Sequence, residues 1–144
     1  MSGDLLMPAV GENEAPFWKA AAQGELRVQK CAGCHRLRFP PRPMCPRCQS
    51  TESDWAQVSD RGTIYSFVVP HPPLLAQFGE LAPYNVILVS LDEDPTIRLI
   101  GNLVNRAGDT IDTVDPDSIE VGQPVRVVFE KVTDEIHMPR WVRI

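Results

Sequence analysis

The stretch Cys31-Ala-Gly-Cys34, ten further residues, and Cys45-Pro-Arg-Cys48 contains all four cysteines of the chain. Two intervening residues allow one tight turn to direct both sulfurs of a pair at the same ion. Four thiolates complete the tetrahedral shell of Zn²⁺ and leave no open position for a substrate. The spacing therefore predicts a structural zinc ribbon with Cys31, Cys34, Cys45 and Cys48 as the metal ligands. Ala32-Gly33 and Pro46-Arg47 suit the two turns, the first through a positive φ.

Other uses of the cysteines stay open at this level. Cys31-Ala-Gly-Cys34-His35 matches the haem attachment pattern, which would leave Cys45 and Cys48 unused. A redox dithiol or disulfide pair is a second alternative, and iron binds the same four thiolates as zinc. His35 is expected on the ribbon surface, or as a replacement ligand in a variant site.

The composition is that of a globular domain with a small appendage: 144 residues, 43% hydrophobic and 23% charged. Fourteen prolines divide the chain into short segments that suit strands better than long helices. The apolar run 86–89 is far shorter than the roughly 20 residues of a membrane span. The N-terminus has neither a basic region nor a sustained apolar one, so we expect a cytoplasmic protein with no membrane partner.

Charge is unevenly distributed along the chain. The net charge is −5, yet residues 27–48 contain no acid and six basic residues: Arg27, Lys30, Arg36, Arg38, Arg42 and Arg47. These side chains either balance the formal −2 charge of a zinc tetrathiolate or form a surface for an anion or an acidic partner. The two explanations are compatible.

Residues 1–25 are predicted to form an N-terminal helical segment. Asn13 suits the N-cap, Pro16 the first turn, and Gly24 the C-terminal stop. The helix has one apolar face, formed by Phe17, Ala20 and Ala21. Because a helix this short is unstable alone, it must pack on the domain or on a partner.

Residues 26–50 are predicted to form the zinc ribbon and residues 51–144 a β-barrel. The ribbon strands are 26–30 and 37–39, and the polar stretch 49–54 is a linker. In the barrel, the segment 62–69 should place Ile64, Ser66 and Val68 on one face. Five strands are expected there, at 62–69, 84–91, 97–104, 125–129 and 141–144, with the second and third forming a hairpin. The expected fold is thus mostly β: an N-terminal helix, a rubredoxin-like zinc ribbon and a small five-stranded OB-fold barrel.

The sequence offers little for catalysis by the chain alone. His35, His71 and His137 lie among turn residues without motif partners, and no phosphate-binding or nucleophile-elbow motif is present. The carboxylates Asp92-Glu93-Asp94 are expected to be solvated residues of a hairpin turn.

Nucleic-acid binding is the alternative that the architecture permits. An OB fold binds single strands through a basic groove with aromatic platforms, and Tyr65, Phe67 and Tyr84 are the available aromatics. The loop 105–120 carries five acids against Arg106 alone, which is a poor surface for phosphates.

Several stretches together resemble the acyl-CoA-associated zinc-ribbon/OB-fold family, long described as a domain of unknown function. They are Phe17-Trp18, Gly24-Glu-Leu26, the two cysteine pairs, Phe39-Pro-Pro41-Arg, Gly62-Thr-Ile-Tyr-Ser-Phe67, Pro83-Tyr84-Asn-Val-Ile-Leu-Val-Ser-Leu-Asp92 and Gly122-Gln-Pro-Val-Arg-Val-Val-Phe129. The resemblance covers nearly the whole chain.

The resemblance implies a non-catalytic accessory subunit that docks on a thiolase-fold enzyme: a thiolase, a synthase or a steroid side-chain aldolase. It implies support of that enzyme's acyl-CoA site in a hetero-oligomer, with a dimer of heterodimers as one arrangement. It also implies either a free-standing chain or a domain that follows a hydratase domain. Docking candidates are Phe17, Trp18, His71, Leu74 and Phe78. A single-stranded nucleic-acid-binding module and a self-sufficient acyl-CoA carrier or enzyme are the competing hypotheses.

Overall fold

The computed structural model describes residues 6–144 and consists of a short helix, a small ribbon and a larger sheet. Helix α1 spans Ala15–Ala21, and the ribbon sheet comprises β1 (Arg27–Cys31), β2 (Leu37–Arg38) and β3 (Ser53–Gln57). The second sheet comprises β4 (Arg61–Val68), β5 (Val86–Leu91), β6 (Arg98–Gly101), β7 (Pro124–Lys131) and β8 (His137–Arg143). Helix α2, Ala76–Gly79, lies between β4 and β5, and a 3₁₀ turn, Pro116–Ser118, lies between β6 and β7. No helix within residues 6–144 has the length and apolar character that crossing a bilayer requires.

Helix α1 ends as predicted and begins differently. Gly24 has a φ of 77°, and the Glu25 amide donates to the Ala20 carbonyl at 3.0 Å, as in a Schellman motif. The N-cap position is Glu14 rather than Asn13, without a side-chain cap, and the Glu14 carboxylate instead accepts from the Gly11 amide at 3.0 Å. The predicted apolar face is buried, and α1 packs against β1 and β8.

The ribbon sheet has the order β2-β1-β3, with both pairs antiparallel. The prediction of a linker over 49–54 is wrong at its end, because Ser53 and Asp54 pair with Cys31 and Lys30. Ser53 and Asp54 are polar and gave no alternating pattern in the sequence. They can still form a strand because β3 lies at the edge of the sheet, where polar residues are tolerated. The side chain of the buried Gln29 connects three parts of the ribbon. Its Nε2 donates to Ser53 Oγ at 2.9 Å, and its Oε1 accepts from the backbone amide of Arg42 at 2.7 Å.

The second sheet is five-stranded and curled, with the order β6-β5-β4-β7-β8 and all pairs antiparallel. Its two ends meet where the Trp141 amide donates to the Asn102 carbonyl at 3.0 Å and the Val104 amide donates to the Trp141 carbonyl at 2.8 Å. A Cβ added to Gly101 would lie 2.8 Å from the Trp141 ring, so glycine allows this close approach. The predicted mostly β fold, with an N-terminal helix, a zinc ribbon and a five-stranded OB-type barrel, is confirmed, and the sheet of the barrel forms a half-barrel.

The predicted alternation along β4 is wrong after Ile64. The pairing with β5 shifts register between Ile64 and Ser66, so that Tyr65 is an extra residue in a β-bulge. Beyond the bulge the inward position passes to Phe67, which packs on the core, whereas Val68 is exposed. A bulge moves side chains to the opposite face, and alternation in one strand does not reveal it.

Asn85 connects the beginning of β5 to the segment that follows β6. The side chain is fully buried; its Nδ2 donates to the Leu103 carbonyl at 2.9 Å, and its Oδ1 accepts from the Leu103 amide at 2.6 Å. One side chain thereby satisfies both backbone groups of a buried residue.

We expect Asn85→Ala to lower the free energy of unfolding by about 2–3 kcal/mol, because both Leu103 groups would be left buried without this partner. Urea denaturation of the zinc-loaded chain measures the effect. Asn105→Ala is the matched control, since Asn105 is exposed and makes one side-chain hydrogen bond to the Thr113 carbonyl. Equal losses in the two variants would contradict this role of Asn85.

Candidate functional site

The four cysteine sulfurs form one compact cluster at the end of the ribbon. The Sγ atoms of Cys31 and Cys48 are 3.4 Å apart, those of Cys34 and Cys45 are 3.7 Å apart, and all four lie within 4.8 Å of one another. Four sulfurs at about 2.3 Å from a tetrahedral zinc ion would be about 3.8 Å apart. The donor set and its spacing therefore fit zinc.

Two similar backbone turns hold the cluster. The His35 amide donates to the Cys31 carbonyl and the Gln49 amide to the Cys45 carbonyl, both at 3.0 Å. The positive φ values fall on His35 (63°) and Gln49 (65°), not on Ala32-Gly33 as predicted. Gly33 instead leaves space at a close approach, because a Cβ there would lie 3.2 Å from Cys48 Sγ. His35 is exposed on the ribbon surface.

The thiols of the cluster differ in acidity. Donation from backbone amides, chiefly that of Cys34, lowers the pKa of Cys31 to about 6. Amide donation led by Cys48 also lowers the pKa of Cys45. At Cys48, donation from the Ser50 amide lowers the pKa of the thiol. Interactions with the neighbouring thiols and burial outweigh this effect and raise the pKa to about 11. Because charged sulfurs at this spacing oppose one another, four thiolates coexist only around a cation.

The cluster supports a structural zinc ion, as predicted. Its shell is complete with protein sulfurs, so the ion has no position for a substrate. All four cysteines are free, and the sulfur separations exceed the roughly 2.05 Å of a disulfide bond. The haem alternative is not favoured, because Cys45 and Cys48 join the same centre as the other pair. Within residues 6–144 this is the one group of side chains arranged to hold a metal.

A cavity of about 370 Å³ lies where α1, the ribbon, α2 and the curled sheet meet. We call it the aromatic groove, after the five aromatic residues in its wall: Phe17, Trp18, Phe39, Phe78 and Tyr84. The ring centroids of Phe17 and Phe39 are 5.4 Å apart, and those of Phe78 and Tyr84 are 6.1 Å apart. Ile100, with 70% of its surface exposed, also lines the groove.

Two polar side chains, Asn102 and Arg140, lie in the same wall. Arg140 is buried, and its Nε donates to Glu130 Oε2 at 3.1 Å while its Nη1 donates to Asn102 Oδ1 at 2.9 Å. The groove is thus an apolar surface in which the positive charge of Arg140 is balanced by the carboxylate of Glu130.

The docking candidates named from sequence fall into two groups. Phe17, Trp18 and Phe78 all line the aromatic groove, although Phe17 is buried within the chain. His71 is exposed on the loop before α2, and Leu74 is half-buried there; neither lines the groove.

The carboxylates at the β5–β6 hairpin have local structural roles. Glu93 accepts from the Ser59 amide at 3.0 Å, and Asp94 accepts from the Thr96 amide at 3.1 Å. Asp92 accepts from Thr63 Oγ1 at 3.3 Å. These contacts agree with the expectation of turn residues.

The aromatics considered for nucleic-acid binding do not form a common platform. Tyr84 is buried in the aromatic groove, and Phe67 is half-buried against the core. Tyr65 is exposed, but the Arg98 guanidinium lies 4.0 Å from its ring centroid. The geometry does not favour stacking of successive bases.

Two family models match the chain, one after the other. Residues 18–54 match the model of the ChsH2 rubredoxin-like zinc ribbon domain, and residues 55–130 match that of the ChsH2 C-terminal OB-fold domain.

Individual proteins show the same similarity. A probable enoyl-CoA hydratase alpha subunit of Thermomonospora curvata is 38% identical over 92% of this chain, which spans 38% of that relative's length. A DUF35 domain-containing scaffold protein of Methanothermobacter thermautotrophicus is 36% identical over 76% of this chain and 75% of its own length. In a solved structure of the Ltp2-ChsH2(DUF35) aldolase, one chain matches with a TM-score of 0.80 and 36% identity, over 95% of this chain and 98% of that one.

Proposed function

Because this chain belongs to the family of ChsH2 zinc-ribbon and OB-fold domains, we propose that it is a non-catalytic accessory subunit of an acyl-CoA-processing enzyme. The partner we propose is a thiolase-fold subunit, acting as a thiolase, a synthase or a steroid side-chain aldolase. The two form a hetero-oligomer in which this chain supports the acyl-CoA site. The relatives described as an enoyl-CoA hydratase subunit, a scaffold protein and part of an aldolase support this class of partner.

The observation that carries the proposal is the aromatic groove. Aromatic side chains dominate the binding energy of protein interfaces, and here five of them line one apolar concavity. The groove joins the helical segment, the ribbon and the sheet, which we assign to residues 1–25, 26–50 and 51–144. We infer that the partner subunit inserts apolar side chains into it.

Zinc has a structural part in this arrangement. Bound by Cys31, Cys34, Cys45 and Cys48, it supplies a rigid cross-link and no reactive site. Phe39, directly after β2, extends from the ribbon to the groove wall. Folding of the ribbon therefore shapes the surface on which the partner docks.

The test combines partner identification with one surface substitution. The tagged chain is purified from its own cells, the bound enzyme subunit is identified by mass spectrometry, and its affinity for the purified chain is measured. Ile100→Glu should weaken that affinity at least about tenfold, because it places a charge in an apolar interface. Its melting temperature should not change, since Ile100 is largely exposed.

Val121→Glu is the matched control, because Val121 is also aliphatic and 63% exposed but does not line the groove. We expect its affinity to stay within about twofold of the unmodified chain. Equal affinities of the two variants would contradict docking through the groove. Turnover of an acyl-CoA thioester by the isolated chain would contradict the non-catalytic role.

A further inference from the structure

A second cavity, of about 410 Å³, lies between the zinc ribbon and the β5–β6 hairpin. We call it the ribbon cavity. Four basic side chains line its ribbon side, and one acid and one hydroxyl line its hairpin side: His35, Arg36, Arg38, Arg47, Asp94 and Thr96. It is separate from the aromatic groove, with which it shares none of its lining residues.

Arg38 is the residue that needs explanation. It is 8% exposed, and its Nη2 donates to the Arg42 carbonyl at 3.0 Å. Its Nε and Nη1 are buried and have no hydrogen-bond partner among residues 6–144. A guanidinium stays ionised in proteins, so a buried one without a counter-charge is unfavourable. The fold keeps a charged group beside a cavity and gives an acceptor to Nη2 but none to Nε or Nη1.

The arginines in the cavity wall outnumber its carboxylate: Arg36, Arg38 and Arg47 stand against Asp94. The six basic residues between 27 and 48 exceed the formal −2 charge of a zinc tetrathiolate, and no acid lies in that stretch. Asp94 is the acid in the cavity wall, and its Oδ1 is occupied by the Thr96 amide at 3.1 Å and the Thr96 hydroxyl at 2.6 Å. Charge balance of the metal centre therefore does not account for the whole basic set.

We propose that the ribbon cavity binds a phosphate group, with Arg38 as its buried donor and Arg36 and Arg47 as exposed charges at its mouth. Guanidinium groups match phosphate oxygens in charge and donor geometry. The volume suits a small phosphate ester, whereas one carboxylate side chain would leave most of it unfilled. Binding requires the Arg38 guanidinium to turn toward the cavity as the phosphate enters. The site does not depend on docking to an enzyme and goes beyond the proposed function.

The test titrates the zinc-loaded full chain with inorganic phosphate and, separately, with ADP, by calorimetry at constant ionic strength. Arg38→Met should weaken phosphate binding at least about tenfold, the scale of a hydrogen bond to a charged group. Arg47→Gln, which alters an exposed side chain, should weaken it about threefold. Arg27→Met is the control: Arg27 lies on the same ribbon, pairs with Glu25 and does not line the cavity.

Zinc content and melting temperature are measured for each variant. Arg38→Met should keep its zinc and melt no lower than the unmodified chain, because it removes an unpaired buried charge. Tighter binding of ADP than of phosphate would assign the site to a nucleoside diphosphate. Equal affinities for the two would assign it to a lone phosphate group.

Absence of binding by the unmodified chain at millimolar phosphate would overturn the proposal, as would unchanged affinity in both Arg38→Met and Arg47→Gln. If phosphate does not bind but Arg38→Met loses the partner enzyme, Arg38 meets a partner carboxylate, and the phosphate assignment is wrong.

Discussion

Cys45→Ser should release the zinc ion, unfold the ribbon and abolish binding of the partner enzyme. Cys45 is buried, and its sulfur lies 3.7 Å from that of Cys34 and accepts from the Arg47 amide at 3.4 Å. A serine hydroxyl does not ionise at neutral pH and is a poor zinc ligand, so the tetrahedral shell loses a member. Binding of a structural zinc ion contributes about 10–16 kcal/mol to the folding of zinc-finger peptides, and we expect a large part of such a contribution to be lost with one ligand.

Metal analysis, amide hydrogen exchange in β1 and partner affinity together measure this effect. Met44→Ser is the control, because Met44 precedes Cys45, is 51% exposed and contributes no sulfur to the cluster. The control should keep one zinc per chain and full protection of β1. If Cys45→Ser binds the partner as tightly as Met44→Ser, the ribbon is not required for docking. Retention of zinc by Cys45→Ser would instead count against the four-cysteine ligand set.

Arg140→Met should lower the free energy of unfolding by about 3–5 kcal/mol, the range for breaking a buried ion pair from one side. The side chains of Arg140 and Glu130 are 6% and 13% exposed, and the Arg140 Nε to Glu130 Oε2 distance is 3.1 Å. The variant also removes the hydrogen bond to Asn102, whose carbonyl accepts from the Trp141 amide where the sheet ends meet. Methionine retains most of the volume of the arginine side chain, so the loss of stability reflects the lost charge and hydrogen bonds and not a cavity.

Urea denaturation measures this loss against Arg126→Met, in which an exposed arginine on the neighbouring strand is changed. That control should stay within about 0.5 kcal/mol of the unmodified chain. No difference between Arg140→Met and Arg126→Met would show that the pair contributes nothing to stability.

The metal centre could be predicted from sequence because its geometry is local. Each cysteine pair is one turn of four residues, and two such turns define a tetrahedral site wherever the intervening chain runs. Most strands of the second sheet could also be located from their β-branched residues, whereas β8 begins at His137 and not at the predicted residue 141. At β7, for example, Val125 and Val127 are buried as the alternation requires.

Other features depended on pairing between distant residues. The bulge at Tyr65 exists only in relation to β5, and strand β3 contains polar residues that gave no alternating signal. The same applies to the candidate site. The aromatic groove combines residues from Leu6 to Arg140, and the buried role of Asn85 requires Leu103 to lie beside it. Trp18 and Phe78 were named as docking candidates through the family resemblance, and both line the groove, but nothing in the sequence placed them in one wall.

The position of Phe39 has a thermodynamic consequence. This side chain belongs to the ribbon in sequence but lines the aromatic groove, where its ring centroid is 5.4 Å from that of Phe17. A ligand that stabilises one conformation of such a shared residue favours every other ligand of that conformation, and the coupling free energy is the same in both directions. We therefore expect the zinc ion and the proposed partner subunit, though bound at different places, to strengthen each other's binding to the chain. The proposed complex should therefore retain its metal against chelators better than the lone subunit does.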